Sequence, residues 1–194
     1  NVTGSLAQAN KTFTDLSSRF ASAPFDIEVV AQGFTKLAAA GLDLDKTRKL
    51  TDALVNSVAA FGGTDQELQR AFLGFSQTIG KGVLSMEEFR QQIAEAVPIA
   101  AKLMASEAGM SVAEFSNAVA KGMISAEEAV RFFSDGAQKA VGNFAESLGF
   151  TIPGALARIK WAADWHKTRG YIVDDKRPHC RFTIPEQVID RKNQ

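Results

Sequence analysis

Along most of the chain, apolar residues recur every three or four positions, the spacing that collects them on one side of an α-helix. Leu16 and Phe20 show this spacing near the start of the chain, and Phe75 and Ile79 show it further on. The pattern extends from about Thr3 to Trp165, a region in which alanine is abundant and proline is rare. It predicts an all-α fold in this region.

Prolines, glycines and helix-capping residues divide this region into short segments. The predicted helices span about Thr3–Ala21, Asp26–Gly41, Asp43–Gly62, Thr64–Gly80, Ser85–Val97, Pro98–Gly109, Ser111–Val119 and Ser125–Gly149, and a last helix opens at Pro153. Short turns between short helices place consecutive helices antiparallel. We therefore expect a compact antiparallel bundle or array of short, capped helices.

Two segments, 81–89 and 121–129, share one pattern: Lys-Gly, two apolar residues, Ser, any residue, Glu-Glu. We predict that the glycine ends one helix in a left-handed conformation and that the serine caps the next helix. The second glutamate would reach back to the N–H of the cap, which completes a capping box. These positions are Gly82, Ser85 and Glu88 in the first copy and Gly122, Ser125 and Glu128 in the second.

Two further capping boxes are predicted, one from Thr64 to Glu67 and one from Ser111 to Glu114. The copies at 81–89 and 121–129 also suggest a helical repeat. Two copies are too few to define a solenoid, however, and convergent capping explains them equally well. Both explanations concern helix boundaries rather than a reaction.

The segment Gly-x-Leu-Ser-x-Glu-Glu-Phe also resembles the second half of a calcium-binding EF-hand loop. Such a loop needs oxygen ligands at its first, third and fifth positions, before the glycine. Neither 75–81 nor 115–121 contains a carboxylate, and a lysine precedes each glycine. Helix capping is therefore the favoured interpretation, and no metal site is predicted here.

Composition narrows the class of protein. The 194 residues carry 22 basic and 22 acidic side chains, so net charge gives no general attraction to nucleic acid or anionic lipid. A hydrophobic content of 45% is typical of a folded domain. The only cysteine, Cys180, excludes an internal disulfide. No apolar run reaches the length of a membrane-spanning helix, so none is expected.

The pattern changes after Trp165. Residues 166–194 contain seven Lys or Arg and four acidic residues, together with two prolines. Tyr171–Val173 and Arg181–Ile184 are candidates for short strands around a turn. We therefore predict a helical domain over 1–165, followed by a basic tail that is hairpin-like or irregular.

Residues that could support catalysis or bind a metal are few. Adjacent His179 and Cys180, with His166, have no usual zinc-ligand spacing and no fourth ligand. Glu87 and Glu88 are neighbours on a helix, so they point about 100° apart and do not face one substrate. No Gly-rich phosphate-binding loop is present. We predict no catalytic residue, no cofactor and no metal, and the residues singled out are structural caps.

The sequence resembles the helical domain of tape measure proteins from long-tailed phages and prophages. The resemblance covers about Phe20 to Phe150 and lies in the order of its short motifs. These are Ala39–Lys46, Leu50–Leu54, Gly74–Gln77, Gly80–Arg90, Ile93–Pro98, Gly109–Phe115 and Lys121–Glu128. The tail from His166 onward is not covered.

This resemblance implies a non-enzymatic structural protein of a phage or prophage tail, one that sets tail length during assembly and assists DNA ejection. The implied partners are tail tube proteins, tail-tip or baseplate proteins and tail assembly chaperones, with self-association also possible in principle. The implied location is the virion tail, and the host cytoplasm during assembly. No specific nucleic acid is implied, and membrane contact would occur only during ejection.

Two alternatives remain open from the residues alone. The chain could be a helical adaptor of prophage origin that binds partners through its basic tail. It could also be a membrane-perturbing segment for DNA delivery, because the alanine-rich stretch Ile93–Ala108 could insert if the bundle opened.

Overall fold

A computed structural model of the protein describes residues 6–21 and 23–147. Within these ranges the chain is helical, and its only β-type pairing there is an isolated antiparallel bridge. The helices are α1 (Leu6–Arg19), α2 (Ile27–Ala39), α3 (Leu44–Ala60), α4 (Asp65–Lys81), α5 (86–96), α6 (Ala100–Glu107), α7 (Val112–Ala120), α8 (Ala126–Ala140) and α9 (Phe144–Ser147). The all-α prediction is confirmed.

Local capping explains where the longer helices begin. The side chain of Asp26 accepts a hydrogen bond from the N–H of Glu28 at the start of α2. The side chain of Asp43 does the same for Lys46 at the start of α3. Thr64 and Glu67 form a capping box at the start of α4. Each bond occupies an N–H that has no partner inside its own helix.

The core is centred on α3, in which every residue from Ala53 to Ala59 is buried. A helical segment that is buried all round needs other helices packed on every side of it. Here α2, α4, α8 and α9 pack against it. Phe75 of α4 and Phe133 of α8 are both fully buried, with ring centroids 5.0 Å apart at an interplanar angle of 54°. The contact between these rings therefore links α4 and α8, which both pack against α3.

Polar contacts fix the direction of α8 relative to α3. Lys46, at the start of α3, pairs with Glu127 at the start of α8, with 2.7 Å between Nζ and Oε1. Asn56, near the end of α3, accepts a hydrogen bond of 2.8 Å from the N–H of Ala145, beyond the end of α8. The two helices therefore run in the same direction, and both begin at one end of the bundle.

Three glycines lie where two helices approach closely. A Cβ on Gly33 of α2 would lie 2.2 Å from the ring of Phe72 on α4, and one on Gly136 of α8 would lie 3.0 Å from the carbonyl oxygen of Leu103 on α6. A Cβ on Gly74 would lie 3.0 Å from Ile93 on α5. The absence of a side chain at these positions sets how closely the helices pack.

The middle of α5 differs from the predicted α-helix. Residues Phe89–Ile93 form a π-helix, in which the N–H of Ala94 bonds to the carbonyl of Phe89. The wider turn lies against α4 at Gly74. Sequence periodicity does not reveal a π-helical turn, because such a turn changes the apolar spacing by only one residue.

Pro98 was predicted in the first turn of the sixth helix, and that prediction is wrong. The helical part of α5 ends at Ala96, Val97 is extended at φ −129° and ψ 91°, and α6 begins at Ala100. A residue before proline is driven out of the helical region by its clash with the ring. Pro98 therefore lies in the turn between α5 and α6.

The predicted helix from Ser125 to Gly149 is also wrong at its C-terminal end. α8 ends at Ala140, Gly142 has φ +52°, and the short α9 follows. The contact between Asn56 and Ala145 holds α9 against α3 after this break. Residues 148–149, the helix predicted at Pro153, the boundary at 165 and the hairpin-like tail lie outside the described residues and stay predictions.

Replacing Gly33 with alanine tests the close packing of α2 on α4. We expect Gly33→Ala to lower the free energy of unfolding by about 1–3 kcal/mol, because the new methyl group overlaps the buried Phe72 ring. Gly80→Ala is the matched control, because Gly80 is exposed within α4 and no atom lies within 4 Å of the new methyl group. That change should raise the free energy by about 0.5–1 kcal/mol. Urea unfolding followed by circular dichroism measures both, and equal effects would contradict the packing argument.

Candidate functional site: the paired turns

The two copies of the Lys-Gly motif come together in the structure. Val83 and Ser125 form the antiparallel bridge. The N–H of Leu84 donates to the carbonyl of Ile124 at 2.9 Å, and the N–H of Ala126 donates to the carbonyl of Gly82 at 2.9 Å. We call this feature, formed by residues 82–85 and 122–125, the paired turns.

Each turn follows a glycine in the left-handed region. Gly82 has φ +76° at the end of α4, and Gly122 has φ +65° after α7. Residues other than glycine avoid this region because of their Cβ atom. Two residues further on, Leu84 and Ile124 are both buried. The two motif copies therefore have the same backbone shape and the same inward-facing apolar residue.

The helices around the turns are paired as well. Phe75 and Phe115 each lie seven residues before the turn glycine of their own copy. Phe75 contacts Phe133 of the other copy, and Phe115 contacts Phe89 of the other copy, with ring centroids 5.0 and 5.7 Å apart. The forty-residue similarity thus corresponds to two helix–turn–helix units, α4–α5 and α7–α8, that pack on each other.

Capping boxes are present at the starts of α7 and α8. Ser111 and Glu114 exchange bonds of 2.9 and 3.2 Å, and Ser125 and Glu128 exchange bonds of 3.0 and 3.3 Å. Bonds from the backbone and side chain of Ser111 lower the pKa of Glu114. Bonds from the side chain and backbone of Ser125 lower the pKa of Glu128. Both glutamates are therefore held as carboxylates at neutral pH.

The capping box predicted at Ser85 and Glu88 does not form. The Ser85 side chain accepts no bond from the backbone of α5. Its hydroxyl donates to the carboxylate of Glu88, which also pairs with the ammonium group of Lys81 at the end of α4. Only 2% of Glu88 is exposed. A buried carboxylate needs an opposite charge, and Lys81 supplies it.

The ionisation of Glu88 reflects two opposed effects. Burial raises the pKa of its carboxyl group, but the hydrogen bonds from Lys81, Ser85 and the backbone, together with the charge of Lys81, outweigh burial, so the pKa lies below its ordinary value. The hydrogen bond with Glu88 in turn raises the pKa of Lys81. In the first turn, Glu88 therefore forms an ion pair with Lys81, whereas in the second turn Glu128 forms a capping box with Ser125.

The second turn instead contacts the central helix, α3, through an ion pair. Lys46 of α3 bonds to Glu127, and this bond, followed by the charge of Lys46, lowers the pKa of Glu127. Lys46 also lies 3.6 Å from Asp43, the cap of its own helix. Lys46 carries no local sequence signal for this contact. Its partner is 81 residues away, and no local pattern connects the two.

Nothing in the described residues resembles a reaction centre. Among them, no group of three or more His, Cys, Asp or Glu side chains is placed to hold a metal ion. Glu87 is exposed while Glu88 is buried, so this adjacent pair does not converge. His166, His179 and Cys180 lie outside the described residues. None of the described helices is long and apolar enough to cross a membrane.

Replacing Glu88 with glutamine tests the ion pair in the first turn. We expect Glu88→Gln to lower the free energy of unfolding by about 1–3 kcal/mol at pH 7, because Lys81 loses a charged partner. Since the pKa of folded Glu88 is depressed, its stabilisation is present above its unfolded pKa and is lost as pH falls through the folded value. The difference from wild type should therefore shrink in acid below pH 4.5.

Glu128→Gln is the control for this experiment. Glutamine can accept the same cap bond from Ser125, and within the described residues no lysine forms an ion pair with Glu128, so this change should cost less. Chemical denaturation at pH 3, 4, 5 and 7 covers the relevant range. Equal losses in the two variants would show that the Lys81 pair adds nothing beyond a cap.

Comparison with known proteins gives a match to a protein family. The family model described as "Tape measure protein" matches residues 1–165, which include every described residue. No curated protein and no solved structure gives a significant match. The resemblance noted in the short motifs is thus confirmed over most of the chain. The chain belongs to the tape measure protein family, whose members are structural components of phage tails.

Proposed function

We propose that the region matching the tape measure family, residues 1–165, is a folded anchor module of a tape measure chain. Other, extended parts of such a chain would then set the tail length. This proposal rests on one observation: the described helices are short and pack against one another. The longest described helices, α3 and α4, have 17 residues each. At 1.5 Å per residue, each is about 26 Å long.

A ruler needs length, and the folded region provides little of it. As one continuous helix, the 165 residues that match the family would extend about 250 Å. A compact domain of that size is only about 40 Å across. Extending the region would also expose α3, whose residues 53–59 are all buried. The free energy lost on exposing that core favours the compact form.

The partners in this proposal are tail proteins. The module would hold the tape measure chain to the tail tube or to the tip and baseplate proteins, with assembly chaperones acting in the host cytoplasm. The chain would occupy the tail lumen and leave before or with the DNA. The family assignment supports a tail component, and the structure supports a compact module within it.

Tail length in the encoding phage tests the proposal. Tandem duplication of residues 1–165 should lengthen tails by no more than about 40 Å, because the second copy folds as the first does. Inserting the same number of residues as a continuous helix should add about 250 Å and serves as the control. Negative-stain electron microscopy measures both. Duplication that adds about 250 Å would mean that the region itself is part of the ruler.

Assembly should also depend on the fold of this region. Gly33→Ala, introduced in the same phage, should reduce the yield of full-length tails at elevated temperature, because Phe72 is displaced from the core. Gly80→Ala should leave the yield unchanged or raise it. Counts of tails per particle preparation provide the measurement. A normal yield with Gly33→Ala, in a protein shown to be destabilised, would exclude a role for the folded module.

A further inference from the structure

The described helices fall into two halves, α1–α5 and α6–α9. In the N-terminal half, α5 packs mainly on α4, and in the C-terminal half, α6 packs mainly on α7 and α8. The chain passes from one half to the other once, through the linker formed by Val97, Pro98 and Ile99. Although α6 follows this linker directly, its main contacts are with α7 and α8 rather than with α5. The linker is therefore a boundary between two packing units.

Much of the core lies at the interface between these two halves. α8 packs on α3 and α4, and α9 packs on α3. The contacts from Phe75 to Phe133 and from Phe89 to Phe115, with ring centroids 5.0 and 5.7 Å apart, cross this interface. The backbone hydrogen bonds of the paired turns cross it as well. If the halves separated, each would expose apolar surface to water, and this surface would favour re-association.

The linker has the properties of a hinge. Val97 is fully buried and its N–H bonds to the carbonyl of Ile93, so it stays with α5. Pro98 is exposed, and a hydrogen bond of 2.8 Å from the N–H of Ala100 to the carbonyl of Val97 closes the turn. Proline disfavours the joining of α5 and α6 into one helix. Rotation about the backbone of Pro98 and Ile99 would therefore open the turn while both flanking helices remain formed.

An opened chain can cover both of its exposed surfaces with a second opened copy. The α6–α9 half of one copy presents the same residues to α1–α5 of the other copy as it does to its own. Every contact of the interface is then re-formed, and the linker alone changes its conformation. The balance between the two forms therefore depends on the linker and on protein concentration, because the closed monomer holds its own second half at a high effective concentration.

We propose that two copies of this chain exchange their α6–α9 halves about the hinge at Pro98 and Ile99. The interaction surface is the interface between the halves, and the partner is a second copy of the chain. A short linker gives an effective concentration in the millimolar range, so exchange competes with closure when the chain is at about 1 mM. At about 10 μM the closed monomer predominates. This inference does not depend on the role proposed for the domain in the tail.

Disulfide trapping in the full chain tests the proposal. Val83 and Ser125 lie opposite each other in the antiparallel bridge, and the hydrogen bonds of that bridge are made by their neighbours. The Cα atoms of such a pair are about 4.5 Å apart, a distance that a disulfide can span. One chain carries Val83→Cys and the other carries Ser125→Cys, and both carry Cys180→Ser to remove the native thiol. A closed monomer of either chain contains one thiol and cannot form the bond.

The two variants are mixed in urea, refolded together at about 1 mM and oxidised. Exchange brings the two introduced thiols into one interface, so a covalent dimer should appear on non-reducing gel electrophoresis. Refolding at about 10 μM should give at least about tenfold less of this dimer. Each variant refolded by itself should give only background.

Two controls accompany the mixture. Val83→Cys and Ser125→Cys combined in one chain should form an internal disulfide in the closed monomer, which shows that the pair is close enough to bond. Val83→Cys mixed with Met110→Cys measures random oxidation, because Met110 is exposed at the opposite end of α7 from the paired turns. Circular dichroism confirms that each refolded sample is helical.

Changes in the linker separate exchange from association of closed monomers. Insertion of about six Gly and Ser residues after Pro98 lets the turn close more easily, so the yield of covalent dimer at about 1 mM should fall at least about threefold. Deletion of Pro98 and Ile99 prevents the turn from closing, so the dimer should form even at about 10 μM. Closed monomers that associate through their surfaces would respond to neither change.

Two results would overturn the proposal. If the chain with both cysteines forms its internal disulfide, but the mixed variants give no more covalent dimer than the Met110→Cys control, the halves do not exchange. If the covalent dimer forms with a yield that is independent of linker length, it arises from contact between closed monomers.

Discussion

The continuous burial of residues 53–59 in α3 is the constraint on which the rest of the fold depends. A helix with a continuous buried run cannot face water on any side, so α2, α4, α8 and α9 must all be present for α3 to be stable. The covering helices meet through small or flat groups, such as Gly33 under the Phe72 ring and the Phe75–Phe133 contact. The domain is thus a covered central helix rather than an extended rod, and this underlies the anchor role proposed above.

The paired turns show how one motif can be used in two ways. In the second copy, Ser125 and Glu128 form a capping box, and the neighbouring Glu127 reaches Lys46 on the central helix. In the first copy, the residue equivalent to Glu128 turns inward and pairs with Lys81. The backbone of the two turns is nevertheless joined by hydrogen bonds, so the copies behave as one structural unit. Similar sequence therefore does not imply the same side-chain role, because packing against neighbouring helices decides where the carboxylate goes.

Stability is distributed unevenly over the domain. Phe75 of α4 and Phe133 of α8 pack on each other in the core, whereas the ion pairs Arg19–Asp52 and Asp15–Arg48 join α1 to α3 through partly exposed side chains. Segments with few buried apolar contacts open at a lower free energy than the core.

The sequence by itself determined the helical class and those helix boundaries that depend on backbone groups within a few residues. Asp43, Ser111 and Ser125 each cap the helix that follows, because the N–H group that each one binds lies three residues along the chain. The order of short motifs also identified the family. The tertiary structure alone decided the pairing of the two turns and the inward position of Glu88. It also decided the position of α9 after the break at Gly142, because Asn56 accepts a hydrogen bond from Ala145, 89 residues further along the chain. These features depend on contacts between segments far apart in the chain, and no local pattern encodes the energy of such contacts.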